Sequence, residues 1–293
     1  MKLGLVVEGG GMKCAYTAAI LDRFLDDQVR FDYIIGVSAG ATCAASYAAG
    51  QRGRNRRFFV DHVTEPDYMG ASAFLRSGQF FNLQYIYGEL TEEGGGDPLD
   101  YQALMANPAS LLAVATDRET GRPVYFSKEM AAPHDYRIYM ATCAIPVVSK
   151  PIEINGRYYY DGGCSDTLPV RKALDDGCDK VVVLLCRPKD TVREPEKHKK
   201  IYHRVLRNYP CLVHELDTRY IRYNKCLEST RKLEEKGRAL IIAPDSKLDI
   251  TTYTKNPQEL QGLYDIGLRE YEAKRKKILD FVGCGYCENK SSI

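Results

Sequence analysis

Short apolar runs rich in β-branched residues alternate along the chain with stretches whose apolar residues recur every three or four positions. The short runs predict strands at 3–7, 33–36, 111–115, 124–126, 157–160, 180–186 and 239–243. The helical periodicity predicts helices at 12–25, 41–49, 53–61, 101–106 and 169–176, and over much of 197–236. Strands that alternate with helices predict an α/β fold: a mostly parallel central sheet with helices on both faces, in three layers. Val181-Val182-Val183-Leu184-Leu185 is apolar throughout, as a strand buried on both faces must be. Leu212, Leu216, Tyr220, Tyr223 and Leu227 follow at intervals of 4, 4, 3 and 4, one face of a long helix packed on the core. No sharp change of composition divides the chain. The reading is one domain over 1–293, in which 187–293 is a mainly helical elaboration that adds one strand.

Composition narrows the function classes. The chain has 293 residues, 44% of them hydrophobic and 27% charged, with a net charge of +2. So small an excess gives no reason to expect a nucleic-acid partner. No run of 18 apolar residues predicts a transmembrane helix. The first eight residues meet an acid, Glu8, too early for a signal peptide. Of ten cysteines, Cys14, Cys43, Cys143, Cys164, Cys178 and Cys186 lie in apolar or small-residue segments, where a thiol acts as a small hydrophobe. A reduced, cytoplasmic protein is the expectation. Cys284 and Cys287 form a single Cys-x-x-Cys pair with no second pair to complete a metal site, so no metal or cofactor is expected.

Candidate chemistry begins at Gly36-Val37-Ser38-Ala39-Gly40, between an apolar run and a small-residue helix. Strand, Gly-x-Ser-x-Gly and helix in that order is the setting of a nucleophile elbow. Gly36 and Gly40 would let strand and helix approach, and the helix N-terminus would favour an oxyanion. The same residues also suit a tight turn with a serine cap. Gly9-Gly10-Gly11 follows the first strand and precedes a helix, so its N–H groups can converge on an anion. Neither a Walker loop nor Gly-x-Gly-x-x-Gly is present, which leaves an oxyanion as the better guest. Lys13 adds positive charge nearby.

A serine nucleophile needs a base. The five histidines are badly distributed: His62 and His134 precede any candidate acid, and His198, His203 and His214 fall in a basic helical region. Asp161, at a strand end before Gly162 and Gly163, is the better candidate, although Asp-Gly is also an ordinary turn signal.

Gly-Gly-Gly-x-Lys, Gly-x-Ser-x-Gly and Asp-Gly-Gly in this order resemble the three-part signature of patatin-like phospholipases. Ala141-Thr142-Cys143-Ala144-Ile145-Pro146 and the Pro169-Val170 that follows Asp161 are similar to the family as well, and the likeness spans roughly 3–186. It implies a Ser38–Asp161 dyad, an oxyanion hole at Gly9, Gly10 and Gly11, and supporting roles for Lys13, Gly36, Gly40, Gly162 and Gly163. The implied activity is hydrolysis of lipid acyl esters. Cys14 departs from the pattern, since many members have glycine there, and it could narrow the loop. Two alternatives remain: a His-dependent hydrolase or thioesterase using His203 or His214, and a non-catalytic lipid-binding module. Met69, Phe74, Leu75, Phe80, Phe81, Leu83, Tyr85, Ile86 and Tyr87 could line an acyl channel, form a lid, or simply be core. Residues 187–238 hold 15 Lys/Arg and 8 Asp/Glu, an excess of +7 that suggests peripheral attraction to an anionic membrane.

Overall fold

The computed structural model describes residues 1–247 and 249–283; Cys284 and Cys287 lie outside them. One sheet contains β1 (Leu3–Val7), β2 (Tyr33–Val37), β3 (Ser110–Asp117), β4 (Pro123–Ser127), β5 (Ile152–Ile154), β6 (Arg157–Asp161), β7 (Lys180–Leu184) and β8 (Ala239–Ile242). Its order is β5-β6-β3-β2-β1-β7-β8, with β4 as a further partner of β3. The β3-β2-β1-β7-β8 stretch is parallel throughout. The pairings made by β4, β5 and β6 are antiparallel. The fold is therefore α/β with a mostly parallel sheet.

The helices are α1 (Ala15–Asp26), α2 (Ala39–Ala48), α3 (Arg54–Arg56), α4 (Ala71–Ser77), α5 (Tyr101–Ala106), α6 (Arg137–Cys143), α7 (Val170–Asp175), α8 (Lys199–Val205), α9 (Pro210–Glu235) and α10 (Pro257–Val282). They cover both faces of the sheet. On one, Leu5, Val7 and Ile34 pack with Ile20, Ala44 and Leu263 of α1, α2 and α10. On the other, Val6, Ile35 and Val183 pack with Ala173 of α7 and with Tyr223 and Leu227 of α9. Strand residues alternate between the two cores because successive side chains point to opposite faces.

Several boundaries differ from the sequence expectation. The helical pattern at 53–61 becomes the single turn α3 followed by a π-helical turn, Arg57–Asp61. The pattern over 197–236 breaks into α8 and α9, with Pro210 in the first turn of α9, where its missing N–H costs nothing. Short α4 and α6 and strand β5 had no expectation. The 26-residue α10 had none either, although its start and stop signals are in the chain. Asn256 accepts from the N–H groups of Gln258 and Glu259, Pro257 follows, and Gly283 ends the helix at φ 79°.

The apolar segment considered as a channel is mostly core. Met69, Phe81, Leu83 and Ile86 are buried, and Phe74 and Leu75 are exposed on α4. In the long-helix stripe, Leu212, Leu216, Tyr223 and Leu227 are buried, and Tyr220 is half-buried.

Candidate active site

Parallel strands deliver their C-terminal ends to one edge of the sheet, where open α/β folds place their sites. β2 ends at Val37, opposite Val114 of β3. The chain then turns at Ser38 into α2, with φ 54° and ψ −137° at the serine. A non-glycine residue rarely adopts that conformation, which costs about 1–3 kcal/mol. Three hydrogen bonds hold it. The Ser38 N–H donates to Thr142 Oγ1 at 2.8 Å, and the Thr142 hydroxyl donates in turn to the Val114 carbonyl. The Ser38 carbonyl accepts from the Ala41 N–H at 2.8 Å. Small neighbours make room for the turn. A Cβ on Gly36 would stand 2.5 Å from the Ala41 Cα, and one on Gly40 would stand 2.4 Å from the Glu8 carbonyl oxygen.

Register explains why Asp161 arrives beside this serine. β4 pairs with Leu112–Thr116 of β3, so it occupies the edge of β3 opposite β2. β6 pairs with Ala115–Asp117 and must therefore continue the edge that β2 has left. Val37 faces Val114 and Asp161 faces Ala115, one position further on. Gly162 is required for the approach, since a Cβ there would stand 2.2 Å from the Val114 oxygen. The Asp161 carboxylate accepts from the Gly163 N–H at 2.7 Å and lies beside the Ser38 hydroxyl, which helps to hold its charge. It is 6% exposed. Burial pushes its pKa up to about 6, even though the Ser38 and Gly163 hydrogen bonds and the charges of Arg219 and Arg193 pull the other way. A buried carboxylate with that pKa is mostly ionised at neutral pH and a stronger base than an ordinary aspartate.

The glycine loop closes the third side. Gly9 lies against the turn: a Cβ would stand 2.8 Å from the Ser38 Cβ. Gly11 has φ 58° and abuts Thr252. None of the backbone N–H groups of Gly9, Gly10 and Gly11 has an acceptor among the described residues. Cys14 does not reach the cavity. It is buried, with its thiol donating to the Glu8 carbonyl at 3.7 Å, so it does not narrow the loop from within. Lys13 points elsewhere, into a neighbouring cavity with Arg187, Asp190, Asp245 and Lys247. Burial and the Arg187 charge lower its pKa.

A cavity of about 130 Å³ joins these parts. Ser38, Asp161 and the three glycines line it together with Pro146, Arg187, Arg193, Arg219 and Tyr253. The arginines were not anticipated. Behind the glycines, fully buried Glu8 accepts from Arg187 Nε at 3.1 Å, Arg193 Nη2 at 2.9 Å and the Cys186 N–H at 2.9 Å. Burial alone would raise the Glu8 pKa; the two guanidiniums and Cys186 reverse that and hold it below the usual carboxylate range. One signal existed for this cluster. An acid at the end of the apolar strand 3–7 must be buried, and a buried charge needs a partner. Nothing local in the sequence marked Arg193 or Arg219, and the family-like stretch that holds Thr142 gave no sign of its hydrogen bond to Ser38. No histidine lines the cavity; His203 instead contacts Asp217 at 3.0 Å on the surface. No cluster of His, Cys, Asp or Glu among the described residues is placed to hold a metal ion. No helix among them is long and apolar enough to cross a membrane.

Comparison with known proteins adds three findings. A family model described as patatin-like phospholipase matches residues 5–174, and one described as a domain of unknown function (DUF6363) matches 209–283. The uncharacterized protein YjjU of Escherichia coli (strain K12) is 29% identical over 203 residues, which is 68% of this chain and 56% of that protein, so the likeness spans little more than half of its length. The structure of VipD from Legionella pneumophila aligns with a TM-score of 0.47 and 15% identity, covering 94% of this chain and 66% of that one. The first match takes in the glycine loop, the serine turn and Asp161, and covers more than half of the chain: the protein belongs to the patatin-like phospholipase family.

Proposed function

We propose that this protein is a serine hydrolase of lipid acyl esters, working through Ser38 and Asp161. One observation carries the reading: Ser38 shares a cavity with the buried Asp161 carboxylate, whose pKa is raised to about 6, and with three glycine N–H groups that have no acceptor among the described residues. Ser38 Oγ attacks the ester carbonyl while its proton passes to Asp161. The Gly9, Gly10 and Gly11 N–H groups take the negative charge that forms on the carbonyl oxygen. Asp161 returns the proton to the departing alcohol, leaving an acyl-serine. Water then attacks the acyl-serine, with Asp161 accepting its proton and passing it to Ser38 Oγ as the bond to the acyl carbon breaks, and the carboxylic acid leaves. No imidazole is needed, and none lines the cavity. Hydrolysis of p-nitrophenyl butyrate, lost in Ser38→Ala while the fold persists, tests the reading; full activity in that variant overturns it.

Attraction to an anionic bilayer through 187–238 belongs to the same proposal in weaker form. Arg187, Arg193 and Arg219 turn toward the cavity, and Lys189, Lys199, Arg222 and Lys232 face acidic partners. The excess charge is thus not one free face. Co-sedimentation with anionic but not neutral vesicles, weakened by salt, is the expected result, and equal binding to both overturns it.

A further inference from the structure

At about 130 Å³ the cavity is well below the roughly 300–1,000 Å³ that enclose a drug-sized ligand. On one side it is bounded by Tyr253. Against that ring lie Phe80, edge-on at 5.3 Å between centroids, and Phe81, stacked at 5.9 Å. Neither phenylalanine lines the cavity itself. The strap that carries Tyr253 is held at both ends. Thr254 Oγ1 accepts from the Thr251 N–H at 2.9 Å, and Thr251 Oγ1 accepts from the Tyr253 N–H at 3.1 Å. Toward the glycine loop, the Met12 N–H donates to the Thr252 carbonyl at 3.4 Å, and a Cβ on Gly11 would stand 2.6 Å from Thr252 Cγ2. Toward the apolar segment, Lys255 Nζ donates to the Met69 carbonyl at 3.0 Å, and Met69 bridges to Phe81. The Phe80 carbonyl accepts from the Gly70 N–H at 2.8 Å at the start of α4, where Phe74 and Leu75 are exposed. One aromatic ring thus separates the reacting groups from a series of apolar side chains that ends at the surface.

We propose that Tyr253 is a gate that sets acyl-chain length: a short acyl group fits inside the cavity, and a longer one is turned over only when the ring gives way and admits it to Phe80 and Phe81. The proposal rests on the hydrolase reading above. An aromatic pair adds roughly twofold to tenfold beyond the area it buries, so moving the ring off both partners costs a long-chain ester roughly fourfold to a hundredfold. Once the ring is gone, each methylene that leaves water for the apolar side chains gains about fourfold. Residues 251–255 lie inside the region matched by the domain of unknown function, whereas Ser38, Asp161 and the glycine loop lie in the patatin-like match. The second region thus decides which acyl groups reach the reacting groups of the first.

Tyr253→Ala is the variant of choice, because the residue is 45% exposed and its loss opens space without stranding a buried charge. The measurement is kcat/KM for p-nitrophenyl butyrate divided by kcat/KM for p-nitrophenyl decanoate, each below its micelle concentration. The native protein is expected to favour the butyrate. In Tyr253→Ala the ratio should fall about tenfold to a hundredfold because kcat/KM for the decanoate rises, a gain that a damaged fold cannot produce. Tyr253→Phe keeps the ring and should keep the native ratio. Phe80→Ala removes one support of the ring and should lower the ratio by about twofold to tenfold. No preference for butyrate in the native protein, or an unaltered ratio in Tyr253→Ala, overturns the gate. If neither ester is hydrolysed, the hydrolase reading fails separately. Calorimetry of decanoate on Ser38→Ala then decides the gate alone: binding tightened about tenfold by adding Tyr253→Ala supports it, and absent or unaltered binding overturns it.

Discussion

Ser38 and Arg219 face the same cavity, but the chain holds them in opposite ways. Ser38 is placed by backbone: a strained turn, a register position on β3, and glycines that admit no Cβ. Arg219 is placed by topology: a long side chain on a helix nearly two hundred residues away, steadied by the half-buried Glu196. Groups that react must be fixed to fractions of an ångström, and backbone achieves that. Groups that act through their charge alone reach over several ångströms and tolerate a flexible arm. The two halves of the site should therefore fail differently when altered.

The sharpest break is expected at the reacting groups. Ser38→Ala and Asp161→Asn should each lower kcat by about a thousandfold or more, with unchanged circular dichroism. The double variant should be no worse than either single one, because the two act as one unit. Full activity in Asp161→Asn would remove the dyad. Next comes the loop. Gly9→Ala, whose methyl would crowd the Val37 oxygen at 2.6 Å, should cost about a hundredfold to a thousandfold in kcat. Unchanged kinetics would reduce the glycines to a turn.

The third test concerns pH. Asp161 must be ionised to act, so kcat/KM should rise with pH through about 6 and then level off. Arg219 and Arg193 lower that pKa, so Arg219→Gln should move the inflection upward, and an unmoved inflection would show that the Arg219 charge does not reach Asp161. Stability runs the other way. A carboxyl whose folded pKa exceeds its unfolded value stabilises the fold fully below pH 3.8 and loses that contribution as pH passes about 6. Asp161→Asn should therefore raise stability above pH 7 by roughly 2–3 kcal/mol in a denaturant melt. Destabilisation instead would mean that the carboxylate is structurally satisfied. The smallest effect is expected at His203→Ala: less than a twofold change in kcat/KM, as suits a surface residue bonded to Asp217. A large loss would revive the His-dependent alternative.

The same contrast decides what was legible in the sequence. Ser38, Asp161 and Gly9–Gly11 left a trace because close approach forbids side chains, and a run of glycines stands out in any chain. The parallel strands were legible because burial on both faces demands unbroken apolar runs such as 181–185. Thr142 lay inside a small-residue stretch whose place was seen, but its hydrogen bond to the Ser38 N–H was not. Arg193 and Arg219 left no trace, because their meeting with Asp161 depends on how α9 crosses the sheet. The core of α10 had caps and periodicity, but it followed a polar stretch that hid its start. The apolar segment 69–87 was ambiguous for a simpler reason: core and channel are written with the same residues.

The sheet also bears on inheritance. β1, which carries the glycine loop, lies between β2 and β7, and β7 begins after the patatin-like match has ended. A chain cut at that match would leave β1 with an open edge of unpaired N–H and C=O groups and would take the Cys186 N–H from Glu8. The border that sequence likeness draws is thus not a seam in the molecule. Recombination that exchanged everything beyond residue 174 among relatives would not transplant a detachable module. It would have to rebuild the neighbouring strand of the glycine loop at the same crossover, so the two matched regions are expected to descend through this lineage as one folding unit.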